Sequence, residues 1–377
     1  MWEWGVLILL LAWAITLTVL YDQEKRNSCD PARQKSSGDP SENSSENPNL
    51  AESRPSSKIL HPLHQASLEE QLAYWKLHTP DWSAVTKEHY KWVAIIEFNQ
   101  GQATCVNDTN PDIHKDCLRW FMVYITPLAA DHPEWTGRIF LHSPDGPLLV
   151  KECEFPVISW NIRLALWGTG QLLGVDPYFM NDSNHDGFPK DDMQQFADKQ
   201  DHLVFRGNTT NEKRRWVIEK YQTTSDMDFK FSAKGIEQKK LQEERPELFG
   251  DFMDVKDQRS YKYLLNIDGY GAAWNRTEWQ LRSHCVMFLD TQYYMFTSKH
   301  LKPWVHYVPF SATDVDKEDD LPKHFQFIKT LQNNQVSSLI QQANTYARTL
   351  NSTSQALLYT EHLITQALAL YAQNLPQ

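Results

Sequence analysis

YKYLLNIDGYGAAWNRTEWQLRSHCVMFLDTQYYMFTSKHLKPWVHYVPF, residues 261–310, reads as strand, glycine turn, helix, strand and a polar-aromatic segment. Tyr263, Leu264, Leu265 and Ile267 form a short apolar run closed by Asp268-Gly269, as a buried strand requires. Gly269 and Gly271 lack a Cβ, so the backbone can turn tightly and come close to a ligand. The spacing predicts a helix over 277–282, with Thr277 near its start as a cap. A helix that follows such a turn aims unpaired N–H groups and the positive end of its dipole at the turn, which suits a phosphate. The spacing G-Y-G-A-A-W-N-R is neither a Walker loop nor the dinucleotide fingerprint, so phosphate chemistry is expected without a nucleotide class.

Working outward, YKYLLNIDGYG and LKPWVHYVP are long and compositionally unusual, and FRGNTT (residues 205–210) forms a second glycine turn. Downstream come Asp320-Leu321-Pro322, Phe327, Tyr346-Ala347 and Tyr371. Together these blocks resemble glycosyltransferase family 90, with its Rumi-type protein O-glucosyltransferases and fungal capsule-associated xylosyltransferases. The resemblance covers residues 201–371 well and the earlier half loosely. It implies an α/β fold of the GT-B type: two Rossmann-like domains, 58–200 and 201–377, facing a central cleft, with C-terminal helices crossing between them. It also implies a UDP-sugar donor, glucose or xylose, and no metal or other cofactor. Arg206, Gly207, Tyr270, Gly271, Ala272, Ala273 and Arg276 are then expected at the diphosphate. The animal glucosyltransferases carry A-A-S-F-R where this chain has G-A-A-W-N-R, one residue longer, so Arg276 or a neighbour takes the phosphate.

The 377-residue chain carries a net charge of −11, which argues against a nucleic-acid partner. Residues 2–21 are almost wholly apolar and long enough to cross a bilayer. A signal anchor over 1–21 is expected, with cleavage after Ala12-Trp13-Ala14 as the alternative. Residues 22–57 contain a stretch rich in Ser, Asn, Glu and Pro that cannot bury enough apolar surface to fold, and read as a stem. Anchor, stem and globular body form the layout of a single-pass type II enzyme of the endoplasmic reticulum or Golgi, with a lumenal catalytic part, and equally that of many type II surface proteins. Six N-x-S/T sequons, at Asn43, Asn107, Asn181, Asn208, Asn275 and Asn351, agree with a lumenal body. Asn208 and Asn275 fall in the two donor blocks and are expected to stay unmodified. Of five cysteines, Cys105 and Cys117 could close a small loop, Cys153 and Cys285 are further candidates, and Cys29 is left over.

In the first half, a helix is expected over 68–77 and strands over 92–98, 121–125 and 138–141. Asp145 follows the last of these in the turn S-P-D-G-P, where open α/β sheets present ligand-facing residues. On the residues alone this is an ordinary surface turn. The resemblance makes Asp145 the catalytic base, because the family's Asp stands in a strand-then-D-x-P context before a proline-aromatic-serine segment. Phe155 to Trp160 matches that follower and brings Ser159 to the substrate. Asp182, Asn184, Asp186 and Gly187 imitate the start of a calcium loop, but Met193 stands where a bidentate Glu is required. Asp226-Met227-Asp228 and Asp314-Val315-Asp316 fit a metal-binding D-x-D string without following an apolar strand. His306 reads as a hydrogen-bonded core residue.

Sugar transfer from a nucleotide diphosphate needs a stabilised leaving group, a deprotonated acceptor hydroxyl and both held in line. Arginine suits the first because its planar fork stays protonated and pairs with phosphate oxygens. A lone carboxylate suffices for the second when displacement is direct and inverting. The expectation is therefore an inverting transferase acting on a hydroxyl of a protein or polysaccharide. A catalytically silent lumenal sugar-binding relative is the first rival. A metal-dependent transferase or hydrolase, needing two carboxylates near Arg206, is the second.

Overall fold

The computed structural model describes residues 59–144, 146–179, 192–232, 238–311 and 319–374. The expected anchor and stem, Asp145, the calcium-like loop and Asp314-Val315-Asp316 lie outside these residues. Among the described residues no helix is long and apolar enough to cross a membrane.

The chain opens with α1 (Pro62–Trp75), where Pro62 stands at the first position and the His61 ring caps Leu63 N–H. It continues through β1 (Val93–Asn99), β2 (Gln102–Cys105), α2 (Lys115–Asp131), β3 (Gly137–His142), β4 (Val157–Ser159), β5 (Asn161–Arg163) and β6 (Gln171–Leu173). Strands β2-β1-β3-β4-β6 form a mixed sheet, antiparallel through β2, β1 and β3 and parallel from β3 to β6. The strand expected at 121–125 is instead inside α2. Cys117, Leu118, Phe121, Tyr124, Ile125 and Ala129 are its buried residues, and their three-and-four spacing is the period of a helix face. Within the short window F-M-V-Y-I that period cannot be told from a buried strand.

The second half runs β7 (Gln200–Gly207), α3 (Glu212–Tyr221), β8 (Met227–Ser232), α4 (Lys239–Glu244), β9 (Phe249–Gly250), α5 (Val255–Gln258), β10 (Tyr261–Ile267), α6 (Asn275–Leu281), β11 (Val286–Asp290), β12 (Tyr293–Met295) and β13 (Val308–Pro309). Helices α7 (Leu321–Thr330), α8 (Asn333–Thr349) and α9 (Thr353–Gln373) complete the chain. The sheet order is β13-β11-β10-β7-β8-β9, with every pairing parallel. Residues 263–267 and the whole of β11 are buried, as strands covered on both faces must be. From β7 the chain winds outward through β8 and β9, then returns to β7's other side with β10 and continues to β13. The strand order therefore reverses between β7 and β10, the place where doubly wound sheets open a crevice at their carboxyl ends.

The two halves are tied together in three ways. β5 pairs antiparallel with β12, joining residues 161–163 to 293–295. Phe296 enters the first core and stacks on His64 of α1, 4.5 Å between ring centroids. Helix α9, last in the chain, packs on β3 and α1 of the first half, burying Leu363, Ile364, Ala367 and Leu368 in that core. Its Tyr359 hydroxyl donates to the Leu173 carbonyl at 2.8 Å and accepts from Gln71 Nε2 at 3.1 Å.

Candidate active site at the β7–β10 switch point

Two turns meet at the switch point, Gly207–Asn211 after β7 and Asp268–Trp274 after β10. Asn211 stitches them. As N-cap of α3 its Oδ1 accepts Arg214 N–H at 2.9 Å, while its Nδ2 donates to the Asp268 and Gly269 carbonyls at 2.6 and 2.9 Å. Gly269 closes its own turn through Gly271, N to O 2.8 Å. A Cβ at Gly269 would lie 3.1 Å from Thr210 Oγ1 and 3.3 Å from Arg214 Nη2, so glycine is what lets the two turns approach. The strained residue of the second turn is not a glycine but Trp274, at φ +45°. Its ring packs on Tyr178 of the first half, 5.3 Å away, and Tyr178 packs in turn on Trp120 of α2 at 5.3 Å.

Asp268, at the end of β10, is buried and accepts Thr291 Oγ1–H at 2.8 Å and Gln292 N–H at 2.7 Å. Burial pushes its carboxyl up to about 7 despite those donors. Beside it, Asp290 at the end of β11 pairs with Lys213 at 2.9 Å.

Two guanidinium groups flank the Phe205 ring, Arg276 at 5.0 Å and Arg214 at 5.6 Å from its centre. Arg214 donates to the Ile267 carbonyl at 2.8 Å and the Asn208 carbonyl at 3.2 Å, and Arg276 donates to the Arg206 carbonyl. Among the described residues neither has a carboxylate within ion-pair distance, and Arg214 Nε, Arg276 Nη1 and Thr210 Oγ1 are buried without a partner. Burial, then repulsion from Arg214, lowers Arg276 to about 9; burial lowers Arg214 to about 10 against the pull of Asp268. Both stay cationic at neutral pH. Orphaned donors of this kind, near the switch point of a doubly wound sheet, are suited to an anion.

Of the residues expected at the diphosphate, Gly207, Tyr270, Gly271, Ala272, Ala273 and Arg276 come together here. Ala272 and Ala273 are buried, while Tyr270 is half exposed. Arg206 is on the same strand end, but its fork is turned along β8. Nη1 and Nη2 grip the two carboxylate oxygens of Asp228 at 3.0 and 2.7 Å, which fills the geometry expected on a phosphate. That pairing also takes Asp228 out of the D-x-D string, whose other member, Asp226, pairs with Lys329 at 2.9 Å. Ser159 lies on β4 of the first sheet with its hydroxyl sealed from solvent. Thr277 is not a cap: Trp274 holds the N-cap position, and the Thr277 hydroxyl accepts Asn266 Nδ2–H at 3.1 Å within the core.

Sequence reasoning missed Thr210, Asn211, Arg214 and Asp268. An Asn three residues before an Arg, just beyond a glycine turn, was the available signal for a capped helix start that carries a cation. His306 is a structural residue, its Nδ1 accepting Lys302 N–H at 2.9 Å and its ring against Tyr346 at 4.9 Å. Cys105, Cys153 and Cys285 are thiols, so the loop expected between 105 and 117 is not closed.

The sequence model of one family, described as Glycosyl transferase family 90, matches residues 180–375, just over half the chain. Protein O-glucosyltransferase 2 of Danio rerio is 43% identical over 53 residues, which are 14% of this chain and 10% of that protein. The matched segment thus spans about a tenth of the relative's length. A solved structure, the crystal structure of a GtfA/B complex, aligns with a TM-score of 0.31 at 14% identity, covering 48% of this chain and 39% of that one. The strand-turn-helix block around Asp268 and the parallel second half both fall inside the matched region, and the chain belongs to glycosyltransferase family 90.

Proposed function

We propose that the β7–β10 crevice holds the diphosphate of a UDP-sugar and that the chain moves glucose or xylose, with inversion, to a hydroxyl of a protein or polysaccharide. The observation that carries this is the pair of buried guanidinium groups, Arg214 and Arg276, which have unused donors and no described carboxylate partner. In transfer, charge builds on the leaving diphosphate. Two fixed cations and the Thr210 hydroxyl would stabilise it most in the transition state, where that charge is largest. Arg206 would act indirectly, its carbonyl holding Arg276 while Asp228 holds its side chain. Asp145 would take the acceptor's proton in a direct displacement, with no metal or other cofactor. The arrangement would be GT-B-like, with halves 58–200 and 201–377 facing a cleft. The strand order of the second sheet and the return of α9 to the first half support it. An anchor over 1–21 and a stem over 22–57 would place the body in the lumen of the endoplasmic reticulum or Golgi.

The test is donor turnover by the full chain, with UDP-glucose, UDP-xylose, UDP-galactose and UDP-N-acetylglucosamine, with and without EDTA. Hydrolysis of one donor that survives EDTA and falls about 10²–10⁴-fold in Asp145→Asn supports the enzyme, the sugar and the base together. Calorimetry with UDP tests the crevice alone: unchanged affinity in Arg276→Ala would sink the assignment of the diphosphate. The commitment of Arg206 to Asp228 favours a second reading, a catalytically silent sugar-binding relative. That reading predicts donor binding without turnover in the presence of any acceptor.

A further inference from the structure

Away from the crevice, the turn Lys302–Tyr307 and helices α7 and α8 enclose a groove of about 960 Å³. We infer that this groove binds a neutral oligosaccharide chain, at a site distinct from the switch-point crevice. Its wall is an aromatic pair: Trp304 is 42% exposed, Phe327 is 49% exposed, and their rings meet edge to face at 5.6 Å. His324 also meets the indole edge to face at 4.9 Å, its own Nδ1 tied to the Pro309 carbonyl at 2.7 Å. Trp304 holds φ +62°, uncommon for so bulky a residue, and its N–H donates to the Tyr307 carbonyl at 2.7 Å. The turn thus keeps a large apolar ring in solvent through an unfavourable backbone conformation, where an ordinary turn would take glycine or asparagine.

The opposite wall decides the class of ligand. Asn334, Ser338 and Gln342 stand four residues apart on α8, so they form one exposed row along the groove. Gln342 Nε2 donates to Ser338 Oγ at 3.2 Å, leaving amide and hydroxyl groups that can both give and accept hydrogen bonds. No carboxylate is among the described lining residues, and Lys323 is the only permanently charged one. An apolar partner helix laid here would strip water from that row without replacing its hydrogen bonds. A nucleic acid would need far more positive charge than one lysine. A sugar chain offers apolar C–H faces to the aromatic pair and hydroxyls to the amide row, and the volume falls within the range of ligand sites, about 300–1,000 Å³. The inference does not rest on the donor reading, since none of these residues lies at the switch point.

The experiment is saturation-transfer NMR and calorimetry on the full chain with four neutral hexasaccharides: a β-glucan, an α-glucan, a xylan and a mannan. At least one class should bind. Trp304→Ala with Phe327→Ala should weaken it tenfold or more, while Trp304→Phe should stay within about threefold. Ser338→Trp, which fills the groove from an exposed position and leaves the aromatic pair intact, should weaken binding equally and guards against a folding defect in the first variant. UDP affinity should be unchanged in all of them. Absence of binding by all four hexasaccharides at millimolar concentration would overturn the inference, as would binding that survives both the double variant and Ser338→Trp. So would sedimentation showing a dimer that Trp304→Ala dissolves, because a second copy would then occupy the groove.

Discussion

The two halves of the molecule bury different chemistry. Among the described residues, the first half, through Phe179, hides aromatic and aliphatic side chains with neutral polar groups such as Gln71, Ser143, Asn161 and Gln171, and a single carboxylate, Asp176. The second half hides Asp192, Lys199, Arg206, Arg214, Arg259, Asp268, Glu278 and Asp290. Buried charge is costly unless paired, so its concentration on one side needs a reason. Most of it is paired: Lys199 with Asp192 at 2.7 Å, Arg206 with Asp228 at 2.7 Å, and Glu278 with Arg282 at 2.5 Å. Arg214 and Arg276 have no such described partner, and both sit at the switch point. Paired charges therefore build much of the second half, whereas Arg214 and Arg276 gather at the switch point with no described carboxylate partner.

The largest effect should come from breaking a pair. Lys199→Ala leaves Asp192 buried against neutral donors, the Gln194 and His284 N–H groups and the Cys285 thiol, and should cost about 3–5 kcal/mol in denaturant unfolding. Loss of less than 1 kcal/mol would mean that the buried ion pairs are not what holds this half together. Arg276→Ala should do the reverse. Stability should hold or rise, since an uncompensated cation is removed, while UDP affinity falls about 10–100-fold, as expected for one or two charge-assisted hydrogen bonds. A stability loss equal to that of Lys199→Ala would erase the distinction between paired and unpaired charge.

The junction between the halves and the switch point should also differ in pH response, through shifts of opposite sign. Burial lowers His64, where α1 meets residues 296–300, and its neighbour His300, each to about 4. Their neutral forms are favoured in the fold, so this contribution is full above about pH 6.5 and is lost as pH falls toward 4. Asp268 is raised to about 7, so its contribution is full below its unfolded value near 4 and is lost as pH rises through 7. Unfolding free energy measured from pH 4 to 8 should therefore rise and then fall. Asp268→Asn should steepen the rise, because its window from about 4 to 7 overlaps that of the histidines, and should remove the fall above it, whereas His64→Phe should flatten the rise. An upper limb unchanged in Asp268→Asn would show that its carboxyl is ionised throughout.

The smallest effect concerns glycans. Asn107 is spent inside the protein, its Nδ2 donating to the Val93 carbonyl and its Oδ1 accepting Ile95 N–H. Asn351 is fully buried, donating to Glu278 Oε2 at 2.7 Å and the Thr297 carbonyl at 3.0 Å. Glycopeptide mass spectrometry of secreted-pathway material should find both sequons empty. An occupied Asn351 would contradict the packing around Glu278.

Part of this was legible in the chain. The strand before Asp268-Gly269, the helix after the turn and the helical tail all carry local periodicity, and each stands where that periodicity puts it. The first half was read less well because F-M-V-Y-I is ambiguous in a short window and resolves only over the seventeen residues of α2. In the site, glycines 207, 269 and 271 and Arg276 were legible as glycine turns with a cation beside them. Arg206 was misleading, because a guanidinium beside a glycine turn looks the same in sequence whether it faces a ligand or a carboxylate. Its partner, Asp228, is separated from it by a helix and a turn and reaches it only because β7 and β8 are parallel neighbours, with Arg206 beside Lys230.

By itself the sequence determined the local grammar: apolar strands, glycine turns that permit close approach, helix starts and the family to which the blocks belong. Tertiary structure decided which cations are neutralised. Charge pairing depends on distance across the sheet, and strand order sets that distance. With β10 inserted beside β7, Arg214 and Arg276 converge on one ring while the carboxylate Asp228 is drawn away to Arg206. Residue spacing along the chain carries no trace of that partition, because it arises between strands that the sequence keeps far apart.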